Sequence, residues 1–348
     1  MEFLEYSEKF KEKAYKAGYT EKEINEYLAY AKVLIENKIP VIFDASHLAS
    51  LTGYSTRYIT RAALYTKHFY RSFQIKKRNG KLRTINEPLP SLKEIQIWIN
   101  QNILQELKPS KFAKAYLKNK NTVDNAKYHK GKKFVLCLDL TDFFPSISAQ
   151  SIENLFIKWG YTKGLSNLFS RLCCLNGALS QGSPTSPMLS NLIMLDFDER
   201  IGKFAVDHNI RYTRYADDLT FSFNDNIDYH LIISKVQLSL NEIPFCNFRL
   251  NPNKTQFLTQ DTRQIVTGVV VNDKLQAPKV YRKEIRQEIF YIRKFGLKSH
   301  LIKINEERGN YLYHILGKIN YCLSLNKDDK EMKNYKQQIT MLLKNSTI

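Results

Sequence analysis

Residues 211–223 read Arg211-Tyr-Thr-Arg-Tyr-Ala-Asp-Asp-Leu-Thr-Phe-Ser-Phe223, with β-forming residues alternating on both sides of two adjacent aspartates. The alternation predicts a hairpin with Asp217 and Asp218 at its tip. Like charges side by side repel, and burying both is costly unless a cation neutralises them. A hard divalent ion such as Mg2+ is the natural partner for such oxygens. Asp is also a common turn residue, so the pair taken alone favours an ordinary Asp-rich turn.

The neighbouring apolar stretch shifts that balance. Residues 134–140, Phe-Val-Leu-Cys-Leu-Asp-Leu, suit a buried strand with Asp139 near its end. A carboxylate buried there again requires a partner. Three carboxylates on neighbouring strands suit two cations about 3.5–4 Å apart, which clamp the attacking and leaving oxygens in phosphoryl transfer. Asp142, just beyond the run, reads as a solvated or capping residue.

Farther out, residues 1–39 read as amphipathic helix closed by Pro40. Residues 44–64 read as two short helices around Thr52-Gly53-Tyr54-Ser55, with Ser55 as an N-cap. That pattern fits an ordinary helical hairpin better than a helix-turn-helix DNA reader. A hairpin follows, Phe73-Gln-Ile-Lys and Leu82-Arg-Thr-Ile around Asn79-Gly80, and then an amphipathic helix over 92–107. Residues 151–176 and 187–205 read as helical, and residues 265–275 as a further hairpin around Asn272-Asp273. From Tyr281 onward the chain is helix-rich, basic and free of Pro. Leu312, Ile315, Leu316 and Ile319 form a core face there.

The 348 residues carry 53 Lys and Arg against 34 Asp and Glu, a net charge of +19. With 43% hydrophobic and 12% aromatic residues, the chain is no disordered tail. Charge alone fits a basic surface as well as a polyanion partner. Cations interleaved with rings in Tyr65–Arg71, Lys76–Arg78 and Lys111–Lys133 favour a nucleic-acid track. No stretch approaches the ~18 apolar residues of a membrane span. Glu2, Glu5 and Glu8 contradict a secretory leader, and the five cysteines show no CxxC spacing. These features predict a cytoplasmic protein without a membrane partner.

The motifs in order resemble the palm of a reverse transcriptase. Leu138-Asp-Leu-Thr-Asp-Phe-Phe-Pro-Ser146, Gln181-Gly-Ser-Pro-Thr-Ser-Pro187 and Tyr215-Ala-Asp-Asp218 carry the likeness, which spans roughly residues 65 to 325. Asn125-Ala-Lys-Tyr-His129 and Val266-Thr-Gly268 resemble elements of the bacterial retron branch. The resemblance implies an α+β right-hand polymerase fold with fingers, an antiparallel palm sheet and a helical thumb. The expected division is a helical extension over 1–64, fingers and palm over 65–280, and an RNA-binding thumb over 281–348.

The same resemblance implies roles residue by residue. Asp139, Asp217 and Asp218, with the carbonyl of Leu140, are implied ligands of two Mg2+ ions, with Mn2+ as a substitute. Phe144 matches the aromatic gate that rejects a ribose 2′-OH, although a core position beside Phe143 is the bland alternative. Gln181 and Gly182 open the loop against the incoming nucleotide. Arg83, with Lys81 or Arg78, resembles the finger cations that hold the triphosphate. Lys254 resembles the lysine that protonates leaving pyrophosphate. Asn125, His129, Val266, Thr267 and Gly268 are implied RNA contacts. For Asn125 and His129, which share a helix face, a structural hydrogen-bond role fits equally. For Gly268, so does sheet packing.

The retron likeness further implies a cognate noncoding RNA serving as template and primer, dNTPs as substrates, and a 2′-OH of a guanosine as the starting point. The product is branched, RNA-linked single-stranded DNA, and the setting is anti-phage defence with a separate effector protein. The rivals are another bacterial defence-associated or group II intron-like reverse transcriptase, a catalytically idle RNA scaffold, and a helix-turn-helix repressor.

Overall fold

The computed structural model describes residues 3–76, 80 and 82–345; Lys77, Arg78, Asn79 and Lys81 lie outside the described residues. The first two helices, α1 (Phe3–Lys16) and α2 (Glu21–Glu36), share a small core of Ala14, Ile24 and Leu28. Thr20 and Glu23 form a capping box that starts α2. Asp44 and Ser55 cap α3 (Ala45–Thr52) and α4 (Thr56–Leu64), as the spacing predicts for Ser55. Leu48, Ala49, Ile59, Ala62 and Ala63 of this pair are buried in the main core, so it is a packed helical hairpin.

Strands β1 (Tyr70–Lys76) and β2 (Leu82–Pro88) form an antiparallel ribbon, with Ile75 opposite Arg83. Next come α5 (Pro90–Asn102), α6 (Thr122–Lys127) and β3 (Phe134–Thr141). The predicted helix over 92–107 ends early, at Asn102; Ile103 and Leu104 are then drawn into the core around a short 3-10 turn. The chain continues through α7 (Ala149–Lys158), α8 (Lys163–Cys173), β4 (Cys174–Leu175), β5 (Ala178–Leu179), α9 (Ser186–Ile193) and α10 (Leu195–Asp207). The Asp-Asp hairpin is β6 (Arg211–Tyr215) and β7 (Asp218–Phe223). After α11 (Tyr229–Asn241) come β8 (Arg249–Leu250), β9 (Gln256–Thr259), β10 (Ile265–Val266) and β11 (Val269–Val270). Helices α12 (Lys279–Phe295), α13 (Leu297–Ile304), α14 (Tyr311–Leu325) and α15 (Lys330–Asn345) close the chain.

The central sheet runs β6-β7-β3, and the far edge of β3 is shared by β9 and β8, all antiparallel. Side chains alternate across a strand, and β3 uses both faces. Leu136, Leu138 and Leu140 enter the main core with Leu219, Phe221 and Phe223 of β7. Val135 and Cys137 face the second core, built with Val266, Val269 and the helices α12, α14 and α15. Both faces are covered, which is why the run reads as uninterruptedly apolar. Leu312, Ile315 and Ile319 are buried in that second core with Leu316 packed against it, as the helical spacing predicts.

Residues 265–276 depart from the expected hairpin. The tight turn falls at Thr267 and Gly268, both with positive φ (46° and 82°), a pairing suited to a two-residue hairpin turn. A second reversal follows around Asn272-Asp273, closed by a bridge between Val270 and Gln276. The Asn272 side chain holds it by accepting from Gln264 N and donating to the carbonyls of Gln260 and Thr262.

Candidate active site

Register brings the acidic residues together. Asp139 of β3 lies directly opposite Asp218 of β7, and the Leu140 amide donates to the Asp217 carbonyl at 3.0 Å. Asp139 is buried, and Asp217 and Asp218 are half-buried. Burial raises the Asp217 carboxyl, with Asp139 adding to the effect. Burial, then Asp217, then Asp139 push Asp218 up to about 7. Negative charge is thus concentrated at the hairpin tip beyond what nearby cations offset. Asp142 is exposed, as its place beyond the strand predicts.

Lys254 and Asn251 face the same cluster. Lys254 Nζ donates to Asp139 Oδ1 at 2.6 Å, and Asn251 Nδ2 to Asp139 Oδ2 at 3.3 Å. The hydrogen bond from Lys254 to Asp139 raises the lysine above its ordinary value, so it is protonated at neutral pH.

Beside the carboxylates lies a cleft of about 430 Å3 lined by Lys93, Tyr116, Phe144, Gln181, Gly182 and Ser183. Phe143 is buried, whereas the half-buried Phe144 ring lines this cleft, 6.2 Å from Tyr116. The β1–β2 ribbon docks on the Gln181 loop through Asn86 N to Gln181 O at 2.8 Å. Gly182 has φ +128°, and a Cβ there would stand 2.6 Å from the Asn86 carbonyl, so the close approach requires glycine. Arg83 is exposed on β2, and its charge lowers the pull of burial on Asp217 and Tyr116. Lys81 lies outside the described residues.

The two retron-like elements meet on the polar face of the sheet. His129 Nδ1 lies 2.8 Å from Ser222 Oγ and its Nε2 lies 2.7 Å from Thr213 Oγ1. Thr213 gives its proton to Asn125 Oδ1 at 2.6 Å, so His129 Nε2 is the donor to Thr213 and Nδ1 accepts from Ser222. Asn125 Nδ2 donates to Thr267 Oγ1 at 3.4 Å, joining this helix to the β10–β11 turn. Asn125, His129 and Val266 are fully buried, so direct RNA contact is not open to these three side chains in this arrangement; their partners are internal. Half-buried Thr267 and exposed Gly268 form the accessible tip.

Motif reading missed Arg214. It is fully buried, paired to Asp198 by Nε to Oδ1 at 2.9 Å and Nη2 to Oδ2 at 2.6 Å. Tyr116 and Asn251 also escaped it, because both sit in loops whose position only the fold reveals. The one sequence signal for Arg214 is that the strand alternation puts it on the same face as Tyr212.

Among the described residues, no group of three or more His, Cys, Asp and Glu side chains is arranged around a single ion-sized point. Asp139 instead faces Lys254. The donor chemistry nonetheless fits a divalent cation: hard carboxylate oxygens gathered where charge is under-compensated, with Leu140 next to Asp139 in the strand.

An antiparallel sheet carrying adjacent carboxylates beside an open cleft fits the palm of a template-directed polymerase. Residues 75–305 match the family model described as Reverse transcriptase (RNA-dependent DNA polymerase). The chain is 32% identical over 310 residues to the Retron Ec86 reverse transcriptase of Escherichia coli, covering 88% of this chain and 90% of that protein. It is 33% identical over 260 residues to the Retron Ec83 reverse transcriptase of Escherichia coli, covering 71% and 83%. For the Retron Mx162 reverse transcriptase of Myxococcus xanthus the identity is 32% over 286 residues, covering 72% of this chain and 58% of that protein. The chain belongs to the reverse transcriptase family, in its retron-type branch. It is accordingly an RNA-directed DNA polymerase with a right-hand fold, acting with a divalent metal on an RNA template and dNTPs. No helix among the described residues is long and apolar enough to cross a membrane.

Proposed function

We propose that this polymerase copies a cognate structured noncoding RNA, priming from a guanosine 2′-OH of that RNA to make branched, RNA-linked single-stranded DNA. The observation that carries the reading is the hydrogen-bonded junction of Asn125, Thr213, His129 and Thr267, which unites both retron-like elements next to the β6–β7 hairpin. The biological setting is anti-phage defence in the cytoplasm, with a separate effector protein.

Asp139, Asp217 and Asp218, with the Leu140 carbonyl, would hold two Mg2+ ions, with Mn2+ as a substitute. When bound, the ions supply activation of the attacking hydroxyl and charge stabilisation of the departing pyrophosphate. Lys254 Nζ, kept protonated, gives its proton to the leaving pyrophosphate. Phe144 walls the sugar side of the cleft and excludes a 2′-OH. Gln181 and Gly182 lie under the nucleotide, and Arg83, with Lys81, holds the triphosphate. The Thr267–Gly268 tip touches RNA, while Asn125, His129 and Val266 support it from beneath.

Residues 1–64 serve as a helical extension, 65–280 as fingers and palm, and 281–348 as the thumb. Two surfaces support an RNA path outside the centre. One is a groove of about 590 Å3 that includes Lys111, Lys114, Lys127, Tyr128 and Arg211 in its lining. The other is the face of α12 where Lys294 Nζ stands 5.6 Å from the Phe290 ring and 5.2 Å from that of Phe295.

The test is to express the chain with its neighbouring genomic DNA and isolate the nucleic acid that co-purifies, beside a D217N/D218N control. A discrete single-stranded DNA, absent from the control and shifted by a debranching enzyme, is expected. Polymerase activity on a generic primed template without that product would retain the reverse transcriptase and overturn the branched-DNA reading.

A further inference from the structure

The Asp217–Asp218 tip depends on a backbone that its own residues do not favour. Ala216 has φ +59°, the left-handed region that non-glycine residues seldom adopt. Its carbonyl accepts from Arg214 Nη1 at 3.2 Å. The same Nη1 donates to Asn191 Oδ1 at 3.1 Å, while Nε and Nη2 are satisfied by Asp198. Tyr212 Oη donates to Asp198 Oδ1 at 2.8 Å and so orients the carboxylate. Arg214, Asp198 and Asn191 are all fully buried. A buried guanidinium has no water to turn to, so every donor it places on a neighbour is held in the plane of the fork.

Each partner leads to a different wall of the site. Asp198 stands on α10 and Asn191 on α9, the helix that follows the Gln181–Gly182 loop. Asn191 Nδ2 also donates to the Ala115 carbonyl at 2.9 Å, the residue before Tyr116. The Arg214 main chain pairs with the same loop, accepting from Lys114 N at 2.8 Å and donating to Phe112 O at 2.9 Å. Tyr116 lines the cleft beside Phe144. One side chain therefore connects the turn that bears both carboxylates with the wall against which the nucleotide lies.

We propose that Arg214 is the positioning residue of the polymerase centre: its guanidinium, neutralised by Asp198, holds the Ala216 carbonyl and Asn191 together and thereby sets the Asp217–Asp218 carboxylates in register with the nucleotide cleft. This inference rests on the assignment of those carboxylates as the catalytic centre. A lysine at 214 keeps a charge for Asp198, but a single ammonium cannot serve Asp198, Asn191 and Ala216 in one plane. The pair also contributes specificity of arrangement over raw stability, since hydrophobic replacement of a whole buried ion pair is often neutral.

The experiment compares Arg214→Lys and the paired replacement Arg214→Met/Asp198→Leu with the parent protein. It measures thermal midpoint, template–primer affinity, kcat and KM for dNTP, and Mn2+ binding by paramagnetic resonance on the protein with template–primer but no dNTP. In Arg214→Lys, kcat is expected to fall about 30-fold or more and Mn2+ affinity several-fold, while template–primer affinity stays within about twofold. Adding Ala216→Gly, which tolerates the left-handed turn without the donor, is expected to recover part of the lost kcat. Should Arg214→Lys not fold, the Met/Leu pair decides: a stable protein with kcat still depressed supports positioning. Parental kcat and Mn2+ affinity in either variant would overturn it. Asp217→Asn separates the two levels, because activity retained there removes the catalytic assignment itself. Activity lost there but intact in Arg214→Lys removes only the role of Arg214.

Discussion

Lys254 Nζ lies 2.6 Å from Asp139 Oδ1, so the ammonium proposed as the proton donor is already bonded to the carboxylate proposed as a metal ligand. The pairing gives the lysine a position next to the reacting groups and keeps it charged. The lysine side chain is 60% exposed, but its carboxylate partner is buried, at 8%. Lys254→Met, which leaves that carboxylate without its ammonium, is therefore expected to lower the thermal midpoint modestly and to cut kcat by about 10²–10⁴. Template–primer affinity is expected to hold. A Lys254→Met enzyme with parental single-turnover rates would remove the lysine from the chemistry.

The two phenylalanines after Asp142 differ in what they face. Phe144 lines the cleft and Phe143 fills the core. Phe144→Ala is expected to let the enzyme incorporate ribonucleotides, lowering dNTP-over-rNTP discrimination by about 10² or more, a steric effect with little change in stability. Phe143→Ala is expected to destabilise by about 3–5 kcal/mol without altering that ratio. Competition assays with matched dNTP and rNTP, run beside thermal unfolding, separate the two. Unchanged discrimination in Phe144→Ala would return that ring to a packing role.

Much of this arrangement is legible in the sequence because it rests on local pattern. Alternation marks β6–β7, the apolar run marks β3, and Ser55 marks the start of α4. What escapes is tertiary. Arg214 reads as one more residue of an alternating strand, and nothing in spacing announces that Asp198, on a preceding helix, is its partner. In residues 265–276 the dipeptide Asn272-Asp273 draws the expected turn to itself, because both residues are strong turn formers. The chain instead turns first at Thr267–Gly268, where burial of Val266 and Val269 in the second core sets the register. Asn125 and His129 suit RNA or internal bonding equally by pattern, and only their burial against Thr213 and Ser222 shows which partners they have.

Gly182 offers a test of how the ribbon contributes. A Cβ at that position meets the Asn86 carbonyl at 2.6 Å and Ile85 Cγ2 at 3.0 Å, and the backbone has φ +128°. Gly182→Ala must displace the ribbon or the loop, at a cost of about 1–3 kcal/mol. KM for dNTP is expected to rise at least tenfold with a smaller change in kcat, because Arg83 rides on the displaced strand. Steady-state kinetics at fixed template–primer check this, and a parental KM would detach the ribbon from nucleotide binding.

On α12 the cations divide by their partners. Arg286 is held by Glu331 through Nε at 2.9 Å and Nη2 at 2.6 Å, so Arg286→Glu is expected to lower the thermal midpoint by loosening the helical bundle. Lys283, Arg293 and Lys294 are exposed on the same helix. Reversing these three is expected to weaken RNA binding and to reduce the slope of log affinity against log salt by roughly one for each phosphate no longer neutralised. Titrations at several salt concentrations give that slope, and an unchanged slope would free this face from RNA binding.

The last prediction concerns pH. His129 is fully buried with both ring nitrogens hydrogen-bonded, and burial, then the charges of Arg211 and Lys114, push its pKa down to about 3. An unfolded histidine titrates near 6.5. Above that pH neither state binds the proton. As pH falls from about 6.5 toward 3, the unfolded chain takes up a proton that the native chain refuses, so stability falls by up to about 1.4 kcal/mol per pH unit. By pH 5 the loss from this one group is about 2 kcal/mol. His129→Gln keeps a polar side chain but has nothing to titrate. It is expected to be less stable than the parent at pH 7.5, yet to lose about 2 kcal/mol less between pH 7.5 and 5. Urea unfolding of both proteins at the two pH values isolates the difference, because every other titrating group is shared. Equal losses in parent and variant would mean that His129 accepts a proton in the folded protein, and the hydrogen-bonded junction with Thr213 and Ser222 would then have to open.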